Sequence, residues 1–178
     1  MRFHANIKDA AGEPRRLTGI AEEIWHSTPA GTIAEILDVQ GPMSLGGVID
    51  AVEAAVRRAP GAFPHPVEIP DLVAALGDLI RLDLVTIKRT GLEAEPAPRV
   101  RRHPSADPVQ LHPLAAALVE ALKTGPASGV AVDRLTRAVQ DQRPGNRRMS
   151  ALDVFNGLGW LLADGGARLD RQPDRAAA

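Results

Sequence analysis

The chain has 178 residues, and its 21 Lys and Arg against 22 Asp and Glu give a formal net charge of -1. This length corresponds to one domain or to two modules of about 70 to 90 residues. The near-zero charge excludes a bulk attraction to nucleic acid or to anionic membranes. Because the chain has no cysteine, it cannot form disulfides, cysteine-ligated metal sites or a thiol nucleophile.

A quarter of the residues are Leu, Ile, Val or Phe, which is enough to build a core. The longest apolar run, near Leu114–Val119, is much shorter than the roughly 20 residues of a membrane span. The N-terminus carries charge where a signal peptide would be apolar. We therefore expect a cytoplasmic protein that does not bind membranes.

The N-terminal residues predict a β-hairpin. Phe3, Ala5 and Ile7 alternate with polar residues ahead of the turn-forming sequence Asp9–Gly12. Leu17–Ile20 is expected to pair back onto them as the second strand.

Three helices and a strand are predicted to follow. Thr32 and Glu35 form a capping box for the first helix, which has Ile33, Ile36 and Leu37 on its apolar face. The remaining signals are Ser44 as the cap of the second helix, Pro70 in the first turn of the third, and Val85–Ile87 as the strand.

Residues 92–113 predict a Pro-rich linker, since Pro96, Pro98, Pro104, Pro108 and Pro113 occur here with little apolar periodicity. The linker separates a first module in residues 1–91, which includes the hairpin, from a second in residues 114–178, which ends in a short polar tail. Residues 1–91 include 9 basic and 12 acidic residues, whereas residues 92–178 include 12 basic and 10 acidic residues. The two modules are therefore expected to have different surfaces.

The second module predicts the same order of elements. A helix from Leu114 ends at Gly125–Pro126, and a second carries Val132, Leu135 and Val139. Ser150 is the expected cap of a third helix, and residues 167–170 alternate like a strand.

An internal repeat relates the two modules. Four blocks match in the same order, with an offset that stays between 82 and 84 residues. They are Gly41–Ser44 with Gly125–Ser128, Asp50–Val56 with Asp133–Val139, Pro60–Gly61 with Pro144–Gly145, and Asp71–Ile80 with Asp153–Leu162. Collinear blocks of this kind indicate a structural duplication.

The repeated unit resembles a winged helix: a helix, a Gly-Pro turn, a helix, a Pro-Gly loop, a third helix and a strand. The predicted fold is mainly α with small β, made of two winged-helix modules and an N-terminal hairpin. Paired winged helices are similar to those of condensin-accessory proteins, which bind a partner polypeptide, and of transcriptional regulators, which bind DNA. A hairpin before a winged helix also resembles the peptide-recognition elements that present precursor peptides to modifying enzymes. The resemblance concerns the fold and implies no single function.

No enzyme chemistry is predicted. Glu22 and Glu23 are adjacent and point apart on a helix, so they do not form a facing acid and base. His65, His103 and His112 lack the spacing of metal ligands on a rigid element. Gly157 and Gly159 interrupt an apolar helical face and predict close helix packing rather than a phosphate loop. We expect no catalytic residue, no metal site and no cofactor.

The preferred function is that of a non-catalytic adaptor for a protein or peptide partner. A peptide can add a strand to a sheet or place a helix in an apolar groove, and neither mode needs charge. The candidate contacts are Phe3, Ala5 and Ile7 on the hairpin, Asp71, Asp78 and Arg81 near the third helix of the first module, and Trp160 in the second. For Trp160 the sequence leaves two roles open, partner contact and core residue.

The alternative function is that of a DNA-binding transcriptional regulator acting through the second module. Winged helices place their third helix in the major groove, and the acidic third helix of the first module is unsuited to this. The candidate DNA contacts are Arg143, Asn146, Arg147, Arg148 and Asn156, which precede or lie on the third helix of the second module.

Overall fold

The computed structural model describes residues 1–8, 11–27, 29–63, 65–88, 98–104, 113–141 and 149–170. These residues form seven α-helices and five short strands, so the protein is mainly helical with small antiparallel sheets, as the sequence predicts. The chain divides into two compact units, Met1–Glu93 and Ala94–Ala178. None of the helices in the described residues is long and apolar enough to cross a membrane.

The first unit has four helices and two strands. In chain order they are β1 (Arg2–Ala5), α1 (Ile20–His26), α2 (Ala30–Gln40), α3 (Leu45–Arg58), α4 (Ile69–Arg81) and β2 (Val85–Lys88), with a 3-10 turn at Pro60–Ala62 between α3 and α4. The core lies between the helices and the small sheet, and contains Phe3, Ile33, Ile49, Leu72 and Leu76.

The predicted N-terminal hairpin is wrong. β1 pairs antiparallel with β2, so that Phe3 lies opposite Ile87, and residues 17–20 do not form a strand. Ile20 instead begins α1, the helix that contains Glu22 and Glu23. The chain does reverse after β1, through a bridge between Lys8 and Pro14. The pairing of β1 with the distant β2 places the apolar Phe3 side chain in the core, where it is completely buried. Removal of this apolar surface from water favours the pairing.

Two of the predicted helix starts are confirmed in this unit and one is wrong. The Ser44 side chain accepts a hydrogen bond from the Gly47 backbone N–H at 3.2 Å and caps α3. Pro70 lies in the first turn of α4, where its missing N–H costs nothing. The predicted capping box at Thr32 and Glu35 fails because α2 already begins at Ala30, after Pro29.

The second unit has three helices and three strands. They are β3 (Arg99–Arg102), α5 (Pro113–Lys123), β4 (Val130–Ala131), α6 (Val132–Asp141), α7 (Ala151–Ala163) and β5 (Ala167–Asp170). The Ser150 cap of α7 and the strand at residues 167–170 are confirmed.

Part of the predicted linker is a central strand. β3 lies between β4 and β5, and Val100 pairs with Val130 on one side and with Leu169 on the other. The Val100 side chain is completely buried. Pro98 and Pro104 on either side of this strand are typical of a linker, because proline lacks the N–H that a strand interior needs, and the sequence therefore did not predict a strand here.

The helices α4 and α7 bury the same positions. Both helices are 13 residues long. When they are aligned at their first residues, Ile69 and Ala151, each of the six buried residues of α4 has a buried counterpart in α7. The pairs are Leu72 with Val154, Val73 with Phe155, Ala75 with Gly157, Leu76 with Leu158, Gly77 with Gly159, and Leu79 with Leu161. Both helices are followed after three residues by a strand, β2 or β5.

Candidate functional site

The N-terminal strand buries Phe3, one of the three predicted partner contacts on it, whereas Ala5 and Ile7 are half-buried. The Phe3 side chain has no exposed area. Its backbone N–H donates to the Met43 carbonyl at 2.7 Å, and the Met43 N–H donates back at 3.1 Å. Ala5 lies opposite Val85, and the Ile7 carbonyl accepts a hydrogen bond from the Arg15 N–H. β1 therefore has neighbours on both sides, and Phe3 is a core residue rather than a partner contact.

The exposed face of α4 is polar, and its predicted partner contacts interact with groups three residues away in the sequence. The Asp71 carboxylate accepts a hydrogen bond from the Glu68 backbone N–H at 2.9 Å, and so helps to cap the helix. Asp78 and Arg81 form an ion pair at 3.1 Å within the helix. Each of these predicted partner contacts thus has a local structural role, and exposed pairs of this kind contribute little to stability.

The exposed face of α7 contains the largest accessible aromatic side chain of the second unit. Trp160 is 43% exposed, so it is not a core residue. Asn156 and Leu152, one and two turns earlier on the same face, are half-buried. Together they form what we call the α7 face: Leu152, Asn156 and Trp160.

The helices α4 and α7, which the sequence predicts as the third helix of each module, differ in the chemistry of this face. The positions of α4 that correspond to Leu152, Asn156 and Trp160 are Pro70, Ala74 and Asp78. Neither helix is basic: α4 has two Asp and one Arg, and α7 has one Asp and no Lys or Arg. The side chains that contact base edges and phosphates are mainly Arg, Lys, Asn and Gln. On these helices only the half-buried Asn156 and the ion-paired Arg81 belong to that set.

The other residues predicted to contact DNA, Arg143, Asn146, Arg147 and Arg148, lie outside the described residues. Of the histidines considered as ligands, His65 and His103 are exposed and His112 is also outside them. Among the described residues, no three His, Asp or Glu side chains lie close enough together to hold a metal ion.

His4 is in an unusual environment that the sequence did not indicate. Its Nε2 is buried and has no hydrogen-bond partner in the described part of the chain. Burial, together with the positive charges of Lys88 and Arg2, lowers the pKa of this imidazole below its usual 6.5. The neutral form of His4 is therefore favoured in the folded protein.

The outer face of each sheet is basic, which the sequence analysis also missed. In the first unit, Phe3 points to the core, so that its strand neighbours Arg2 and His4 share the outer face with Lys88. In the second, Val100 points to the core, and Arg99, Arg101 and Arg168 share the outer face with one acid, Asp170. The available signal was the alternation of Arg with a buried Val in the sequence Arg99–Arg102.

A surface pocket of about 250 Å³ adjoins this basic face in the second unit. Its cationic lining residues are Arg101, Arg102 and Lys123, and the turn at Gly125–Val130 forms much of the opposite wall. Arg101 pairs with Asp170, and Lys123 pairs with Glu120 on the same helix. The lining of the pocket is thus positively charged, and the paired acids Asp170 and Glu120 are not among its lining residues.

Comparison of the chain with protein-family models, with curated proteins and with solved structures finds no match.

Proposed function

We propose that the protein is a non-catalytic adaptor, made of two winged-helix modules related by an internal duplication, that binds a partner polypeptide through the α7 face. The observation that carries this proposal is Trp160, a large aromatic side chain that is 43% exposed on an otherwise well-packed helix.

The winged-helix and duplication parts of the proposal are supported by the repeated order of elements. The second unit has a strand, a helix, a short strand, two helices and a strand. The first unit follows the same order, with the isolated bridge residue Met43 in place of the short strand, and adds the helix α1 after its first strand and a 3-10 turn between α3 and α4. The first strand takes the central position in each case: β1 between Met43 and β2, and β3 between β4 and β5. The matching buried positions of α4 and α7 support the same relationship.

Binding of a polypeptide is supported by the composition of the α7 face. Trp is enriched among the residues that dominate protein interfaces, because it buries a large area at a small cost in side-chain entropy. The absence of Lys and Arg from α7 disfavours insertion of this helix into the major groove of DNA. A leucine and an asparagine beside the tryptophan provide an apolar surface with one hydrogen-bonding group.

The test is capture of a partner by tagged full-length protein from a nuclease-treated lysate of the source cells, at an ionic strength that removes nucleic acid. We expect one defined polypeptide, identified by mass spectrometry, to be retained by the wild type. Trp160→Asp introduces the residue found at the corresponding position of α4, Asp78, and should abolish retention.

The matched control is Val39→Asp, because Val39 is 83% exposed on α2 in the first unit. This variant should retain the same polypeptide as the wild type. Thermal unfolding followed by circular dichroism identifies any variant that fails to fold. The proposal is wrong if no defined polypeptide is retained, or if a folded Trp160→Asp variant retains it as well as the wild type does.

A further inference from the structure

The second unit carries a concentration of arginine on its sheet that the overall charge of -1 conceals. Strand β3 has the sequence Arg-Val-Arg-Arg, and β5 adds Arg168. Against these four cations the two strands contain one acid, Asp170. The two strands therefore have a net charge of +3. Because Arg102 lies on the face of the buried Val100, the outer face has three arginines and Asp170, a net charge of +2.

Two of these arginines face each other directly. Arg101 and Arg168 are register partners in the antiparallel pair, and like charges at such positions destabilise a sheet. Both side chains are exposed, and Arg101 makes an ion pair with Asp170. A stable fold does not require this arrangement, whereas an anionic ligand would relieve the repulsion between the two guanidinium groups.

Arg99 is held in place on the same face. Its Nε and Nη2 donate to the Gly129 carbonyl at 3.1 and 2.9 Å. Alternate residues on a strand are about 6.6 Å apart, so Arg99 and Arg101 are spaced much like successive phosphates of a nucleic acid strand. Guanidinium groups bind phosphate oxygens in a bidentate manner, which lysine cannot do.

The pocket beside this face extends the cationic surface. Arg101 and Arg102 line it together with Lys123, and its volume of about 250 Å³ accommodates a phosphate group. The ion pairs of Arg101 and Lys123 are on the surface and are partly exposed, so a phosphate can compete with their carboxylates.

We propose that the outer face of the second unit's sheet, formed by Arg99, Arg101 and Arg168, binds the phosphate backbone of a nucleic acid, with one phosphate in the adjoining pocket. This surface is separate from the α7 face, and its binding does not depend on the polypeptide proposed above. Contacts to phosphate carry no base information, so binding is independent of sequence. Arg2 and Lys88 provide a smaller basic face at the corresponding position of the first unit.

The experiment measures fluorescence anisotropy of labelled 30-nucleotide single-stranded DNA, duplex DNA and single-stranded RNA with the full-length protein, over a range of salt concentrations. We expect the wild type to bind at low salt, with an affinity that falls steeply as salt rises. The double variant Arg101→Gln/Arg168→Gln should bind about tenfold more weakly or worse, and its salt dependence on duplex DNA should decrease by about 1.8 in log–log slope, for two lost phosphate contacts.

The matched control is Arg134→Gln/Arg137→Gln, which removes the same charge from exposed positions of α6 and should bind like the wild type. Arg101→Lys/Arg168→Lys keeps the charge and should give an intermediate affinity if bidentate contacts matter. The Trp160→Asp variant should also bind nucleic acid normally, which separates this proposal from the previous one.

The proposal is overturned if the wild type does not bind any of the three probes at low salt. It is also overturned if the α6 control weakens binding as much as the sheet variant, or if a poly-glutamate peptide of equal charge displaces the nucleic acid equally well. The last result would identify the surface as a site for acidic polypeptides.

Discussion

Phe3 and Met43 exchange two backbone hydrogen bonds, of 2.7 and 3.1 Å, across the side of β1 that faces away from β2. A residue near the beginning of the chain is thereby fixed in the middle of a sheet. Its side chain is completely buried. Phe3 is consequently part of the core of the first unit.

Replacement of Phe3 by Ala should therefore destabilise the first unit, by about 3 to 5 kcal/mol for a buried Phe. Denaturant unfolding monitored by circular dichroism measures the change. Ile20→Ala is the control, because Ile20 is 60% exposed and should change the free energy of unfolding by less than about 1 kcal/mol. A Phe3→Ala variant as stable as Ile20→Ala would contradict the central position of β1.

A second prediction concerns the contact between α5 and α7. A Cβ atom at Gly157 would lie 2.9 Å from the backbone carbon and oxygen of Leu114, closer than carbon atoms approach in proteins. The predicted packing role of this glycine is thus confirmed. Gly157→Ala should force the two helices apart and cost about 1 to 3 kcal/mol.

Gly47→Ala is the comparison, because the added Cβ would meet the side chains of Met43 and Ser44 at an ordinary 3.5 Å. This change should stabilise α3 by about 0.5 to 1 kcal/mol, since alanine is the better helix former. Thermal melts of both variants measure the difference. Equal effects of the two substitutions would show that α5 and α7 are not in close contact.

A third prediction concerns the turn that follows α7. Gly165 has a φ of +69°, and Asp83, at the corresponding position after α4, has a φ of +56°. The left-handed conformation costs about 1 to 2 kcal/mol for a residue with a Cβ, and Asn and Asp tolerate it best. Gly165→Ala should therefore be less stable than Gly165→Asn, with the wild type the most stable of the three.

The space around Gly165 is open, with no atom within 4 Å of an added Cβ, so the expected loss comes from the backbone alone. Gly61→Ala is the control, because its added Cβ also meets nothing within 4 Å and its φ is not left-handed. Differential scanning calorimetry orders the variants. If Gly165→Ala has the same melting temperature as the wild type, the turn does not adopt the left-handed conformation.

The fourth prediction concerns pH. The pKa of His4 is lowered by its burial and by Lys88 and Arg2, so below pH 6.5 the unfolded chain binds a proton that the folded protein does not. The contribution of neutral His4 to stability is complete above pH 6.5 and is lost as the pH falls through the lowered pKa. Stability should therefore decrease on acidification in this range.

His4→Gln should reduce that dependence, because glutamine does not titrate. His65→Gln, at an exposed histidine, should leave it unchanged. The measurement is the free energy of unfolding in urea at a series of pH values from 7.5 to 5. A dependence that is the same in both variants would place its origin elsewhere in the protein.

The sequence by itself determined the local elements of this fold. Ser44 and Ser150 predicted the starts of α3 and α7, and Pro70 the first turn of α4. Gly157 and Gly159 predicted close helix packing in α7, and both are buried. These signals act over three or four residues, where side-chain spacing and capping chemistry decide the backbone conformation without reference to distant parts of the chain.

Only the tertiary structure decided where the strands pair and what their outer faces carry. β1 pairs with residues 80 to 86 positions away, and β3 lies in a segment whose prolines predicted a linker. Strand pairing depends on contacts between distant residues, so a strand such as β2 or β5 can be predicted locally while its partner cannot. Because the pairing was missed, the basic face of Arg99, Arg101 and Arg168 was missed with it. Arg99 and Arg101 are close in the sequence, but Arg168 joins them only when β3 and β5 form one sheet.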